Sequence, residues 1–281
     1  MLNSIEAYYY PKTIEEAIEL FHRHQGVSAY LWDGKSLVTQ KPSKIKAIID
    51  VNRLPLKEIN INENHLCVGT GITLQSALRI TALTDWGKGI LRDAILATRT
   101  SIVRFGTSFG EILSSSEQFT ELLTALVALD AKIEAAGIEN PLPILEFFLK
   151  QDEILKIGII PTLVLLPVRW QKTRGAFLKL SRIPSELPIL TAGAVALTNG
   201  TRCEDIRLVL GGSSKLPIQL QAVETSLRGK LLASTLIQQA AQSVPSVISE
   251  YSDTRASFEY RTKIAPVLVR RVIEKCAVLI R

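Results

Sequence analysis

The chain has 281 residues, of which 33 are Lys or Arg and 27 are Asp or Glu, so its net charge is +6. With 47% hydrophobic and 21% charged residues, the composition excludes a largely disordered chain and is sufficient for two folded domains. The basic excess is small and contains no block of consecutive Lys and Arg, so nucleic-acid binding is not expected.

The cysteines, the histidines and the apolar runs indicate the compartment of the protein and whether it binds metal or spans a membrane. Cys67, Cys203 and Cys276 are far apart and form no CxxC pattern, which predicts buried free thiols in a reducing compartment. The histidines are equally scattered, so no metal site is predicted. The N-terminus lacks a signal-peptide pattern, and the most apolar run, residues 157–166, is too short to span a bilayer. We therefore expect a cytoplasmic protein without a membrane span.

The N-terminal segment predicts a small βαββ unit. Thr13, with Glu16 three residues later, forms a capping-box pattern ahead of a helix whose apolar side chains share one face. Residues 28–31 and 45–49 are short and apolar, as expected of two strands.

The middle of the chain alternates between predicted strands and helices, which indicates an α/β or α+β fold rather than a helical bundle. Strands are predicted at residues 66–68, 131–135 and 153–160. Helices are predicted at residues 73–80, 91–97 and 119–129, with a short one within 141–148.

The pattern changes after Pro161, Pro167 and the basic stretch 169–174, which together predict an interdomain linker. Beyond it, strands are predicted at residues 176–180, 190–197 and 206–210, and helices at 216–227, 233–243 and 258–275. Asn199-Gly200 predicts a hairpin between the last two strands. Strands followed by helices indicate an α+β second domain.

The stretch from residue 99 to residue 116 reads as a turn-rich loop with glycines at Gly106 and Gly110. Glycines allow backbone N–H groups to approach an anion closely, and a following helix start favours negative charge. Such a loop can hold a pyrophosphate. Glu111 argues against this use, because it adds a negative charge beside the anion.

Short motifs recur in a recognisable order along nearly the whole chain. The closing segment contains SDTRAS at residues 252–257 and EYRTK at 259–263, and the opening segment is YYYPKTIEEAIELF. Between them stand Ile49-Asp50 with Arg53-Leu54, the turn at 68–73, DEIL before Ile160-Pro161, and FLKL at 177–180. Taken together, these motifs resemble the flavoprotein (medium) subunits of molybdenum hydroxylases, such as carbon monoxide dehydrogenase and xanthine dehydrogenase.

The resemblance implies an α+β fold in two parts. Residues 1–168 would form a two-lobed FAD-binding domain of the vanillyl alcohol oxidase type, with lobes at about 1–56 and 57–168. Residues 175–281 would form a smaller α+β domain, with a three-stranded antiparallel sheet and helices.

The resemblance also implies a role as an oxidoreductase subunit rather than a complete enzyme. Electrons would pass from [2Fe–2S] clusters on a small partner subunit to FAD on this chain, and then to an outer acceptor. Molybdopterin and the substrate site would lie on a large partner subunit.

The same resemblance assigns the FAD-binding residues. The family's two diphosphate loops match residues 32–36 and 106–111, and a lysine that can approach the flavin ring matches Lys179. The cofactor-binding residues expected on this basis are Gly34, Lys35, Ser36, Gly106, Thr107, Ser108, Gly110 and Lys179.

Four substitutions in these loops favour a second hypothesis. Trp32 and Asp33 replace a small residue and a glycine of the family pattern, while Phe109 and Glu111 replace a glycine and an asparagine. The chain is therefore either an electron-transfer flavoprotein subunit or a flavin-free docking subunit that keeps the fold. A free-standing flavin oxidase ranks last, because no His or Cys stands in a convincing context for covalent flavin attachment.

Overall fold

The computed structural model describes residues 5–33, 44–98, 100–114 and 119–276. Its strands, in chain order, are β1 (Ala7–Tyr9), β2 (Ser28–Leu31), β3 (Ala47–Asp50), β4 (Ile59–Ile61), β5 (His65–Gly69), β6 (Lys132–Ala136), β7 (Leu142–Pro143), β8 (Ile160–Pro167), β9 (Arg174–Leu180), β10 (Leu190–Asn199), β11 (Arg202–Gly211) and β12 (Ile218–Gln219). Its α-helices are α1 (Ile14–Arg23), α2 (Leu74–Ala77), α3 (Thr81–Thr84), α4 (Ile90–Ala97), α5 (Ser101–Phe105), α6 (Phe109–Ser114), α7 (Thr120–Ala128), α8 (Ile144–Leu149), α9 (Gln151–Lys156), α10 (Gln221–Leu227), α11 (Ser234–Ala241) and α12 (Phe258–Cys276).

The chain divides into two compact units that interleave along the sequence. The first contains residues 1–76, 101–116 and 132–166, and the second contains residues 77–100, 117–131 and 167–281. Within the described ranges, none of the helices combines the length and the apolar character that crossing a bilayer requires.

The first unit begins with the predicted βαββ arrangement. Strands β1 and β2 both pair in parallel with β3, which gives the sheet order β1-β3-β2. The Thr13 cap is confirmed, since the Glu16 amide donates to Oγ1 of Thr13 at 3.1 Å, while the Glu16 carboxylate accepts from the amide of Lys12, one residue before the cap, at 2.6 Å. Helix α1 buries Ala17, Leu20 and Phe21 against this sheet.

A second sheet of the first unit has the order β4-β5-β8-β6-β7 and corrects one prediction. Residues 153–160 were expected to form a strand, but the first half of them belongs to helix α9, and the strand β8 begins at Ile160. Pro161 lies inside β8 instead of starting a linker. It pairs with Ala135 next to a register shift at which the pairing skips Thr162 of β8, and a bulge is where a sheet tolerates a residue that lacks an N–H group.

The predicted loop at residues 99–116 is largely helical in its described part. Helix α5 precedes Gly106, and helix α6 begins at Phe109. The turn between them is therefore short, and residues 106–108 connect two helices rather than forming part of a long open loop.

The second unit contains an antiparallel sheet with the order β12-β11-β10-β9. The three predicted strands are present, and the two-residue strand β12 adds a fourth at the edge. Asn199 ends β10 and Gly200 adopts a φ of 58°, as the predicted hairpin requires. Helices α10, α11 and α12 contribute side chains to one apolar core with this sheet, so the α+β class is confirmed.

The segment before α12 contacts the first turn of that helix through Asp253. The Arg255 guanidinium donates to Oδ2 of Asp253, and the buried Arg261 donates to Oδ1 at 2.6 Å. Burial alone would raise the pKa of the Asp253 carboxyl, but hydrogen bonds from Arg255 and the charges of Arg255 and Arg261 outweigh it and lower that pKa from 3.8 to about 2.

Asp253→Asn is expected to remove a pH-dependent contribution to stability. A carboxyl whose pKa is lower in the folded state stabilises the fold above the unfolded pKa of 3.8, and this contribution disappears as the pH falls towards 2. We expect the variant to lose about 1–2 kcal/mol at neutral pH, allowing for partial solvation. The difference from the wild type should shrink between pH 4 and pH 2, measured by urea unfolding. A difference that is constant with pH would contradict this account.

Candidate functional site

The first predicted diphosphate loop begins directly after strand β2, with Trp32 and Asp33. Trp32 is buried and belongs to the apolar cluster formed by helix α1 and the segment around Val51. Asp33 is partly buried. The expected cofactor residues Gly34, Lys35 and Ser36 lie outside the described residues.

The Trp32 ring packs directly on the backbone of the second loop at Gly110. A Cβ atom built on Gly110 would lie 2.1 Å from Cε3 of Trp32, which is far inside van der Waals contact. The glycine therefore permits close approach, as the sequence suggested, but it is an indole of the same chain that approaches it.

The backbone amides of the second loop already donate hydrogen bonds within the protein. The Ser108 N–H donates to Oδ2 of Asp33 at 2.5 Å, a short charge-assisted bond. The next three amides donate, in chain order, from Phe109 to Ile72 O at 3.0 Å, from Gly110 to Thr70 O at 2.7 Å and from Glu111 to Ser108 Oγ at 3.2 Å. Four consecutive N–H groups are thus occupied by acceptors of this chain.

In the same loop Gly106 is exposed, whereas Thr107 faces the interior of the first unit. The Gly106 N–H donates to Ile102 O at 3.2 Å, and Thr107 O accepts from the Leu74 N–H at 2.8 Å. The Thr107 side chain is fully buried, and its hydroxyl has no hydrogen-bond partner among the residues that the structure describes. Thr107 is therefore a packing residue at the base of the loop, closed off from solvent.

A diphosphate does not fit this arrangement as it stands. It would need the amides that Asp33 and the backbone carbonyls now occupy, and the space beside Gly110 that Trp32 fills. Charge adds to the mismatch, because the Asp33 carboxylate already lies against the Ser108 amide. A like-charge pair at roughly 4 Å costs about 4 kcal/mol at an effective dielectric constant near 20, which corresponds to several hundredfold in affinity.

Gly110→Ala is expected to destabilise the protein by about 1–3 kcal/mol, because the added methyl group collides with the buried Trp32 ring. Urea unfolding would measure the loss, and tryptophan fluorescence would shift to the red as Trp32 is displaced. The matched control is Gly106→Ala in the same loop, where the nearest atom to a new Cβ is Ile102 O at 3.8 Å. Equal stability of the two variants would show that the ring does not pack on Gly110.

Lys179, the expected flavin-ring residue, lies in strand β9 of the second unit and is held by three acceptors. Its Nζ atom is 2.9 Å from Oε1 of Glu121, and it donates to Ala97 O at 2.9 Å and Pro184 O at 3.0 Å. The side chain of Lys179 is 8% exposed and that of Glu121 is fully buried. The ammonium group is therefore committed to a buried ion pair.

Two of these contacts were not predicted from the sequence. Asp33 was expected to repel an anion, whereas it acts as the anion for the Ser108 amide. Glu121 was not singled out, although one acidic residue in the apolar run TELLTALVAL is a sign of a buried charge that requires a partner.

Comparisons with known proteins extend over nearly the whole chain. The chain is 28% identical to the uncharacterised protein YgfM of Escherichia coli K12 over 274 residues, which cover 97% of this chain and 96% of that protein. It is 21% identical to the carbon monoxide dehydrogenase medium chain of Hydrogenophaga pseudoflava, with 95% of each chain covered. The crystal structure of quinoline 2-oxidoreductase from Pseudomonas putida 86 has a chain with the same fold, with a TM-score of 0.85, 20% identity and 96% of each chain covered.

Two family models match consecutive parts of the chain. The model of the FAD-binding domain in molybdopterin dehydrogenase matches residues 3–169, and the model of the carbon monoxide dehydrogenase flavoprotein C-terminal domain matches residues 175–276. The first match alone covers more than half of the 281 residues. The chain therefore belongs to the family of FAD-binding medium subunits of the molybdenum hydroxylases.

Proposed function

We propose that this chain is a medium subunit of a molybdenum hydroxylase-like complex that serves as a flavin-free structural and docking subunit. The observation that carries the proposal is the occupied loop, in which the amides of residues 108–111 all donate within the chain. Family membership supplies the context, since medium subunits of this kind work within larger assemblies. The partners would be a molybdopterin-binding large subunit and a [2Fe–2S] small subunit.

The proposal assigns the chemistry to the partner chains. Molybdopterin, the iron–sulfur clusters and the substrate site would lie on those subunits, and this chain would hold them in place through its folded surface. The three free thiols are consistent with a cytoplasmic complex.

The match to a family of FAD-binding domains favours a second candidate function. In this alternative the chain is an electron-transfer subunit, and Gly34, Lys35, Ser36, Gly106, Thr107, Ser108 and Gly110 hold the FAD diphosphate. It would require Asp33 and Trp32 to leave the positions that they occupy beside Ser108 and Gly110.

Co-expression with a molybdopterin-binding large subunit and a [2Fe–2S] small subunit tests both candidates. The expected result is a stable complex whose medium subunit contributes no flavin to the visible absorption spectrum and takes up none when FAD is added. A complex with one flavin per medium subunit would favour the electron-transfer role. Failure of the three chains to associate would contradict the docking role.

A further inference from the structure

We call Trp32 and Asp33 the plug, because their side chains contact the backbone of the second diphosphate loop at Gly110 and Ser108. They directly follow strand β2, which is paired with β3 along its whole length. Trp32 is 4% exposed and lies on Gly110, and the Asp33 carboxylate accepts from the Ser108 amide. One end of the plug is thus anchored in a sheet, and both of its side chains are engaged.

We propose that the plug is an internal replacement for the diphosphate of a dinucleotide. Asp33 supplies the anionic oxygen to the Ser108 amide, and Trp32 covers Gly110 where a phosphate would otherwise approach the backbone. This inference rests on the proposed function, and it goes further by naming the group that takes the place of the ligand.

The chemistry of a carboxylate explains why Asp33 can take this role. A carboxylate and a phosphate both present anionic oxygens, and both form short charge-assisted bonds with backbone N–H groups. The bond of 2.5 Å from the Ser108 amide to Asp33 is of this kind. An aspartate at the position of a family glycine therefore adds the anion to the chain itself.

Attachment to the chain gives Asp33 an advantage over any dissolved ligand. Because Asp33 is held by strand β2, its effective concentration at the Ser108 amide exceeds that of a free metabolite. The first unit would therefore fold with the amides of residues 108–111 already bonded within the chain, and these amides would need no cofactor.

Removal of the Asp33 carboxylate tests the proposal, because a loop that has lost its internal anion should accept an external one. The variants are Asp33→Ala and Asp33→Asn, where asparagine keeps an acceptor oxygen without the charge. The matched control is Asp152→Ala, an exposed aspartate of the same unit. The probe is inorganic pyrophosphate, followed by thermal unfolding and by calorimetric titration of the full-length protein.

We expect Asp33→Ala to melt several degrees below the wild type and to recover saturably with pyrophosphate, whereas the wild type and Asp152→Ala do not respond. Pyrophosphate should bind at least tenfold more tightly to Asp33→Ala and Asp33→Asn than to the wild type. If Asp33→Ala does not fold, the same tenfold gain in Asp33→Asn supports the proposal. Equal affinity in all forms, or no response in either Asp33 variant, would overturn it.

The wild type titrated with FAD separates this inference from the proposed function. If the wild type binds FAD tightly, both the docking role and the plug are contradicted. A wild type that ignores FAD and assembles with its partners, while the Asp33 variants ignore pyrophosphate, preserves the docking role and removes only the plug.

Discussion

Replacing Arg261 with methionine is expected to lower the free energy of unfolding by about 3–5 kcal/mol, because it removes one partner from a buried charged network. The guanidinium of Arg261 is fully buried at the start of helix α12. It donates to Ile189 O, to Gly212 O at 2.6 Å and to the Asp253 carboxylate at 2.6 Å. Without it, two strand-end carbonyls and a carboxylate lose a donor that water cannot replace inside the unit.

The matched control is Arg271→Met, on an exposed position of the same helix, which should change stability by no more than about 0.5 kcal/mol. Arg261→Lys should fall between the two, since one ammonium keeps the charge but cannot serve the separated carbonyls and the carboxylate together. Urea unfolding at neutral pH measures all three. If Arg261→Met is as stable as Arg271→Met, the network does not hold the helix to the sheet.

The elements that the sequence predicted well are those with strong local signals. The helix cap at Thr13, the Asn199-Gly200 hairpin and the apolar faces of the C-terminal helices depend on neighbouring residues, so one chain without relatives is enough to find them.

The two errors have different origins: one passed over a local signal, and the other concerns a tertiary contact that no local signal reveals. Residues 151–156 carry acidic residues in the first helical turn and Lys156 in the last, which favours the observed helix, whereas the prediction followed the apolar run beyond it. Pro161 was interpreted as a break, yet it lies in a central strand because the bulge opposite Ala135 accepts it. That bulge depends on a strand about 25 residues away in sequence, which no local pattern reveals.

The loops of the candidate site could be located from the sequence, and their unusual residues could be named. The role of Asp33 as a hydrogen-bond acceptor could not be predicted, because its donor is the amide of Ser108, 75 residues later in the chain. From charge alone, Asp33 is simply a residue that repels phosphate. In the structure, Asp33 is also the residue that accepts the hydrogen bond of the Ser108 amide.

Lys179 offers a second test of whether groups expected to bind the cofactor are already occupied within the chain, since its ammonium group is paired with the buried Glu121 carboxylate. Lys179→Met is expected to lower the free energy of unfolding by about 3–5 kcal/mol, because it removes the ammonium group that lies 2.9 Å from Oε1 of the fully buried Glu121. The double variant Glu121→Leu/Lys179→Met removes both charges, and we expect it to lie within about 1 kcal/mol of the wild type.

The control for this cycle is Lys172→Met, at an exposed position just before strand β9, which should have little effect on urea unfolding. Recovery of stability in the double variant would show that the two charges act as a pair, with a coupling energy of several kcal/mol. A Lys179→Met variant as stable as Lys172→Met would mean that the ion pair contributes nothing to the fold and that the lysine is free for another role. With the pair intact, the amine expected beside a flavin is instead held 2.9 Å from Oε1 of the fully buried Glu121 inside the second unit.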